Sequence, residues 1–146
     1  MTANLKPTWD YTTPLRTEHE RRAALVEIDA LVAVWLGITA DQLVTIFNSR
    51  YPQLYDFELG TYFDANGRKI AANSFTYGHG QTKQDYIDLL AHLENPEVTS
   101  PPAGYTAPFY KADRAAEMRA AHAHFQARLD KEIAAGRWTP PESREA

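Results

Sequence analysis

The chain has 146 residues, enough for one domain with a hydrophobic core, and contains no cysteine. That excludes disulfides, thiolate metal ligands and a cysteine nucleophile. Hydrophobic residues make up 44% and the formal net charge is −4, so nucleic-acid contact would require a local basic patch. No apolar run approaches the roughly 20 residues that a membrane span needs, and we expect a cytoplasmic protein without membrane contact.

Residues 1–16 predict an extended arm, and we expect its aromatic residues Trp9 and Tyr11 to pack onto the body. The first helix begins at Thr17, which forms a capping box with Glu20, and ends at Gly37. Its predicted inward face is apolar and carries Leu25, Ile28, Val32 and Trp35, with Leu31 and Leu36 beside them.

A second helix follows at once, with Thr39 and Gln42 as its capping box, and the two predict a helix pair. Asn66-Gly67 then predicts a β-hairpin near residues 60–72, because both residues tolerate positive φ. A short helix up to Asn95 should turn four side chains inward, namely Tyr86, Leu89, Leu90 and Leu93.

Four prolines between residues 95 and 110 predict a long ordered loop. The last helix should run from about Asp113 to Ala135, with Met118 and His122 on its apolar stripe, and residues 138–146 should form a flexible tail. The predicted fold class is therefore mainly α with one small β-hairpin (α+β), as a single helical domain over residues 17–137.

The best candidate for a contact site is the loop Tyr77–Lys83, in which glycines flank His79 and allow close approach to a ligand. The alternative is a simple turn in which Thr82 caps the next helix. Arg68 and Lys69, just after the hairpin turn, fit phosphate contact or a solvated tip equally well. The predicted contact edge combines Asn66, Arg68, Lys69, His79, Gln81 and Lys83 as polar contacts with Tyr77 as a stacking group.

No catalytic chemistry stands out in the sequence. His122 and His124 are two residues apart on a helix and point in different directions, so they do not predict a metal pair. A Gly-rich phosphate loop, a Gly-x-Ser-x-Gly elbow and a Ser/His/Asp set are all missing. We therefore assign no catalytic residue, no metal ligand and no cofactor.

Three long segments nevertheless resemble a known family: residues 16–54 ("RTEHERRAALVEIDALVAVWLGITADQLVTIFNSRYPQL"), residues 63–83 ("FDANGRKIAANSFTYGHGQTK") and residues 101–122 ("PPAGYTAPFYKADRAAEMRAAH"). They are similar to the C-terminal region of large actinobacterial class I SAM-dependent adenine-N6 DNA methyltransferases of restriction-modification and phage-exclusion systems. The resemblance covers roughly residues 9–125. The SAM loop and the Asn-Pro-Pro-Tyr/Phe motif of those enzymes are missing, since residues 95–98 read Asn-Pro-Glu-Val.

The resemblance implies a non-catalytic accessory domain of a DNA modification or phage-defence system. Its partners would be DNA, a large methyltransferase or another subunit of that system. Two alternatives stay open at this point: a stand-alone protein-interaction module without DNA contact, and a small enzyme whose site is assembled by the fold.

Overall fold

The computed structural model describes residues 8–139. These residues form five α-helices, a three-residue 3₁₀ turn at Ser74–Thr76 and three short strands, so the predicted mainly α fold with a small β-hairpin is confirmed. In chain order the elements are α1 (Glu18–Trp35), α2 (Ala40–Arg50), α3 (Pro52–Leu59), β1 (Thr61–Phe63), β2 (Lys69–Ala71), α4 (Lys83–Glu94), β3 (Tyr110–Lys111) and α5 (Arg114–Ala134).

Local sequence signals set the helix ends. Capping boxes start α1 at Thr17, α2 at Thr39 and α4 at Thr82, each with the threonine hydroxyl accepting from a backbone N–H two or three residues into the helix. At the end of α1, Gly37 has a φ of 69°, and the N–H of Ile38 donates to the carbonyl of Ala33 at 2.8 Å. This is the hydrogen-bond pattern of a glycine-terminated helix.

The main core lies where α1, α2 and α5 meet. Val26, Val44, Phe47 and Met118 are buried there against one another. His122 is buried beside them, and its Nε2 lies 2.8 Å from the carbonyl oxygen of Ile38. The structural role predicted for His122 on the α5 stripe is therefore confirmed.

The predicted inward face of α1 is wrong. Its six apolar side chains are between 47% and 76% exposed, and they are Leu25, Ile28, Leu31, Val32, Trp35 and Leu36. The buried side of α1 instead carries Val26, Ala30, Ala33 and Val34, whose small side chains permit close packing with α5. The pattern was ambiguous because α1 is apolar on both sides. Leu90 and Leu93 of α4 were also expected inside and are exposed, whereas Leu89 is buried.

The strands form an antiparallel sheet in the order β2-β1-β3, so the predicted hairpin gains a third strand from the end of the Pro-rich loop. Ile70 of β2 lies in a second core with Leu89 of α4 and Tyr105 of the loop. The Pro-rich loop is therefore ordered by its own aromatic residue, which packs between the sheet and α4.

The expected packing of the N-terminal arm onto the body of the protein is wrong. Trp9 and Tyr11 are 78% and 76% exposed, and the Tyr11 ring instead carries the Arg16 guanidinium 4.1 Å from its centroid. Residues 1–7 of the predicted arm and residues 140–146 of the predicted tail lie outside the described residues. Trp138, assigned to the tail, is half-buried.

The hairpin turn differs in detail from the predicted one. Gly67 has a positive φ of 74°, whereas Asn66 does not, and the N–H of Gly67 donates to the Asp64 carbonyl at 2.9 Å. The turn is thus a three-residue loop with Gly67 in the left-handed position. A side chain at Gly67 would also collide with Thr17, because its Cβ would lie 2.8 Å from the threonine Cβ.

A buried carboxylate, which sequence reasoning missed, holds this turn. Asp64 Oδ1 accepts from the N–H groups of Asn66 at 2.9 Å and Arg68 at 2.8 Å, and Oδ2 accepts from the N–H of Thr106 at 3.1 Å. Its side chain therefore joins the hairpin turn to the Pro-rich loop 42 residues further along the chain.

We predict that Asp64→Ala lowers the free energy of unfolding by about 3 kcal/mol, because three N–H groups lose their acceptor in a partly buried place. Urea denaturation followed by circular dichroism measures this change. Asp113→Ala is the matched control: its carboxylate caps one N–H, of Ala116, at an exposed helix start, and its loss should cost about 1 kcal/mol. Equal losses in the two variants would contradict the role given to Asp64.

Candidate nucleic-acid interface

The hairpin and the loop Tyr77–Lys83, predicted as one edge, do lie together. The loop runs along the outer edge of β2, so close that a Cβ on Gly78 would lie 1.9 Å from the carbonyl oxygen of Lys69. Gly78 is therefore required for this backbone approach. Lys69 and the loop residues share one continuous surface as a result.

Gln81 fastens the loop to the strand. Its side-chain amide donates to the carbonyl of Ala71 at 2.7 Å and accepts from the Ala71 N–H at 2.9 Å, as a neighbouring strand would. Its oxygen also accepts from the N–H of Gly78 at 2.9 Å. Gln81 is buried and its amide makes these three hydrogen bonds, so it holds the loop and does not belong to the exposed surface.

His79 occupies the apex of the turn that follows. The N–H of Gln81 donates to the Gly78 carbonyl at 3.0 Å, Gly80 has a φ of 75°, and the His79 side chain is exposed. Thr82 and Asp85 then form the capping box of α4, as the alternative interpretation of this loop predicted. The loop can therefore cap α4 and still expose His79, because the capping residues follow the apex of the turn along the chain.

The other predicted contact residues differ in solvent exposure and in the hydrogen bonds that they already make. Asn66 is exposed, and its amide donates to the Thr106 hydroxyl at 3.1 Å. Arg68 is also exposed, although its guanidinium donates to the Gly104 carbonyl and lies 4.6 Å from the centroid of the Tyr105 ring. Lys83 is exposed, whereas Lys69 and Tyr77 are half-buried.

The start of α1 completes this edge. The N–H of His19 donates to the Gly67 carbonyl at 3.1 Å, and Glu18 Oε2 accepts from the Lys69 N–H at 2.9 Å. Arg16, directly before the helix, is exposed and donates to the Tyr11 carbonyl at 2.5 Å. We call the surface formed by Arg16, Arg68, Lys69, His79 and Lys83 the basic edge.

The carboxylates around the basic edge are bound to main-chain N–H groups. Besides Glu18 and Asp64, Glu20 accepts from the N–H groups of Arg16 and Thr17, and Asp85 accepts from the N–H of Thr82 at 2.6 Å. These bonds lower the pKa of Glu20 and keep it ionised. None of the ion pairs found within residues 8–139 joins one of these carboxylates to a cation of the basic edge.

Sequence reasoning also missed Phe75, which lies on the 3₁₀ turn between β2 and the loop. Its side chain is 92% exposed, while its N–H donates to the Asn73 side chain at 2.9 Å. The Asn73 carbonyl accepts from the N–H of Thr76 at 2.9 Å. Asparagine is typical of such a cap, so the order Asn-Ser-Phe-Thr could have predicted this 3₁₀ turn.

A second charged cluster joins α1, α3 and α5. Arg22 is bound by Glu58 and Glu117, and Arg114 lies 3.1 Å from Asp29 and 3.4 Å from Glu58. Burial opposes the charge of Arg22, but the hydrogen bonds and charges of the two glutamates outweigh burial and raise the pKa of Arg22. Because each of these side chains contacts an opposite charge on another helix, the cluster holds the three helices together.

A groove of about 480 Å³ lies between the ends of α1 and α5, and it is mainly apolar. Leu31, Trp35, Phe125, Leu129 and Trp138 line it, together with Arg128, Glu132 and Arg137. His79 is not among its lining residues, so this groove does not correspond to the enzyme alternative.

Within residues 8–139 no group of three or more histidine, aspartate or glutamate side chains is placed to hold a metal ion. No helix in the same segment has the length and hydropathy needed to cross a membrane. Comparison of the chain with protein families, curated proteins and solved structures finds no match.

The close approach of Gly78 to Lys69 gives a prediction with an internal control. Gly78→Ala should lower the free energy of unfolding by about 2–3 kcal/mol, because the methyl group must displace the loop from β2. Gly80→Ala, where nothing lies within 4 Å of the added Cβ, should lose about 1 kcal/mol from its positive φ alone. Chemical denaturation measures both, and a larger loss at Gly80 would contradict the packing described for this loop.

Tyr110, whose hydroxyl donates to Glu117, gives a prediction about alkaline pH. Burial and the hydrogen bond to Glu117 raise the pKa of Tyr110 to about 12. The folded protein therefore holds this proton more tightly than the unfolded chain, in which tyrosine has a pKa of about 10. The stabilisation is complete below about pH 10 and is lost as the pH rises towards about 12.

Tyr110→Phe should consequently reduce the fall in unfolding free energy between about pH 10 and pH 12 relative to the unaltered chain. Urea denaturation at several pH values measures the slope. Tyr51→Phe, at an exposed tyrosine between α2 and α3, serves as the control. An unchanged slope in Tyr110→Phe would rule out the link between the Tyr110 proton and the stability of the fold.

Proposed function

We propose that this chain is a non-catalytic accessory domain of a DNA modification or phage-defence system, and that the basic edge contacts the phosphate backbone of DNA. The observation that carries the proposal is the way in which the charged side chains around the hairpin are bound. Cationic side chains extend from the edge, while the neighbouring carboxylates are bound to backbone N–H groups.

The acceptors of the arginines strengthen this argument. Arg16 and Arg68 are oriented by neutral carbonyl oxygens, of Tyr11 and Gly104, and by stacking on Tyr11 and Tyr105. A carbonyl fixes a guanidinium without cancelling its charge, and each arginine retains donors for a phosphate oxygen. On α5 and just after it, by contrast, Arg114, Arg119 and Arg137 are paired with carboxylates.

The net charge of −4 belongs to the whole chain, so it does not by itself decide contact at the basic edge. Phosphate contacts depend on the field at the contact surface, which falls off over about 10 Å at moderate salt. Acidic residues elsewhere on the chain therefore weaken long-range attraction more than they weaken contact at the edge itself.

Aromatic groups supply a second kind of contact. Phe75 is almost fully exposed, and the exposed His79 lies at the apex of the next turn. Exposed rings beside cations are suited to stacking on unpaired bases. The resemblance of three segments to methyltransferase C-terminal regions favours DNA as the nucleic acid, and the lack of catalytic motifs favours an accessory role.

The salt dependence of DNA binding tests the proposal. Replacing Arg68, Lys69 and Lys83 together by glutamine should weaken binding to a mixed-sequence duplex. The slope of log K against log salt should fall by up to about 3, at roughly 0.9 per lost phosphate contact. Fluorescence anisotropy between about 50 and 200 mM salt measures the slope.

A matched triple variant controls for net charge: Arg119, Arg128 and Lys131 are also exposed and lie on α5, away from the hairpin. Replacing them by glutamine should change the slope little. The double variant of Lys69 and Lys83 leaves the Arg68–Gly104 contact in place and should lose about two of the three contacts. Equal slopes in the edge variant and the α5 variant would refute DNA contact through the basic edge.

A further inference from the structure

The outer side of α1 is apolar and uncovered within the described part of the chain. Its six large side chains, from Leu25 to Leu36, keep about half or more of their surface exposed, and Trp35 keeps 76%. This side lies nearly opposite the buried side of the helix, since positions 26, 30, 33 and 34 are the buried ones. Within residues 8–139, these side chains therefore remain largely exposed, although Leu31 and Trp35 also line the groove beside α5.

The spacing of these residues is that of a helix-pairing seam. Leu25, Ile28, Val32 and Trp35 follow one another at intervals of three, four and three residues. Such intervals place all four on one line along a helix and are the a and d positions of a coiled coil. We call these four residues the α1 seam; Leu31 and Leu36 flank it.

We propose that the α1 seam pairs with the same seam of a second copy of this chain, antiparallel and about a two-fold axis. In an antiparallel pair an a position faces a d position of the other helix. Ile28 then faces Val32 of the second copy twice at the centre, and Leu25 faces Trp35 twice at the ends. Every layer joins two apolar side chains, and a two-fold axis generates both halves of the contact.

One cation near the start of α1 favours the antiparallel direction. Arg21 is exposed and lies four residues before Leu25, about one turn earlier on the same side of the helix. Antiparallel pairing brings it towards the last turn of the other α1, which has no basic residue of its own. A cation is favourable there because the C-terminal end of a helix carries partial negative charge.

The available area matches a small dimer interface. A buried aliphatic side chain removes on the order of 100 Å² of apolar surface and an aromatic one about 150–250 Å². At their exposed fractions, the six side chains therefore present about 400 Å² per copy. Apolar atoms make up about 60% of an interface. If all of this surface is covered, the total buried by two copies is at most about 1,300 Å², at the lower end of the range of specific interfaces.

Sedimentation velocity of the full chain tests the proposal. At tens of micromolar protein and above, the unaltered chain should sediment with twice the mass of one 16.5 kDa chain. Ile28→Glu/Val32→Glu should sediment as a monomer with an unchanged circular dichroism spectrum, since both side chains are exposed in the single chain. Ile87→Glu, at a similarly exposed position on α4, should leave the dimer intact.

Engineered cysteines test the direction of pairing, because the chain has none of its own. The double variant Leu25→Cys/Trp35→Cys should form a disulfide-linked dimer on mild oxidation, whereas Leu25→Cys alone should not. Within one helix these positions are about 15 Å apart, too far for an internal disulfide. Efficient cross-linking of the single variant would overturn the antiparallel arrangement.

A monomeric unaltered chain at all concentrations, or a dimer that survives both glutamate substitutions, would overturn the pairing of the α1 seam. Binding of the seam by a different protein, with the free chain remaining monomeric, would do the same. The residues replaced lie outside the basic edge, so these outcomes test the pairing of the seam and leave the phosphate contacts of a single edge unchanged.

Discussion

The carboxylate of Asp64 is the interaction on which the arrangement of the hairpin depends. It fixes three N–H groups at once, two in the turn and one in the Pro-rich loop. The turn it holds places Gly67 against Thr17, and the Gly67 carbonyl accepts from the N–H of His19. The start of α1 is thereby positioned on the sheet, and α1 in turn carries the contacts to α2 and α5. One buried acidic residue thus connects the β part of the molecule to its helical core.

Hydrogen bonds from backbone N–H groups to carboxylates also determine which charged side chains remain available to a ligand. Around the hairpin, acidic side chains complete helix starts, a turn and the outer edge of β2, and these tasks bring them close to the main chain. The nearby cationic side chains hydrogen-bond to the main chain only through its carbonyl groups. In the cluster of Arg22 and Arg114 the acidic residues bind guanidinium groups instead, and the result is a link between helices. Similar residue types therefore form the proposed contact surface in one place and a link between helices in the other.

Prediction from sequence worked where the cause is local. The capping boxes at Thr17, Thr39 and Thr82 involve residues three apart, and the hairpin is signalled by two adjacent residues. It did not work where the cause is distant. Nothing in the sequence near Asp64 or Gln81 shows that their partners include Thr106 or the edge of β2.

The inner face of α1 was misjudged for a related reason. Large apolar side chains formed a regular stripe, whereas the buried side is marked mainly by Ala30 and Ala33, which carry little hydrophobic signal of their own. Close packing with α5 favours the small residues and leaves the large ones outside. A periodic stripe identifies an interaction surface, but it does not say whether the partner belongs to the same chain. Phe75 shows the same limit, since its exposure depends on a cap formed by Asn73.

The two proposed surfaces are linked by geometry. The basic edge begins at the start of α1, and the α1 seam is centred near residue 30, thirteen residues further along the same helix. Two antiparallel copies would place the starts of their α1 helices about 40 Å apart, at 1.5 Å per residue. One turn of duplex DNA measures about 34–36 Å, so two edges that face the same side of the pair would meet phosphates about one helical turn apart. Each edge alone offers few contacts, but linking two edges makes the second contact intramolecular and raises the overall affinity without any new interaction. Pairing of the seam is therefore a physical means by which an acidic chain with a small basic edge can hold DNA.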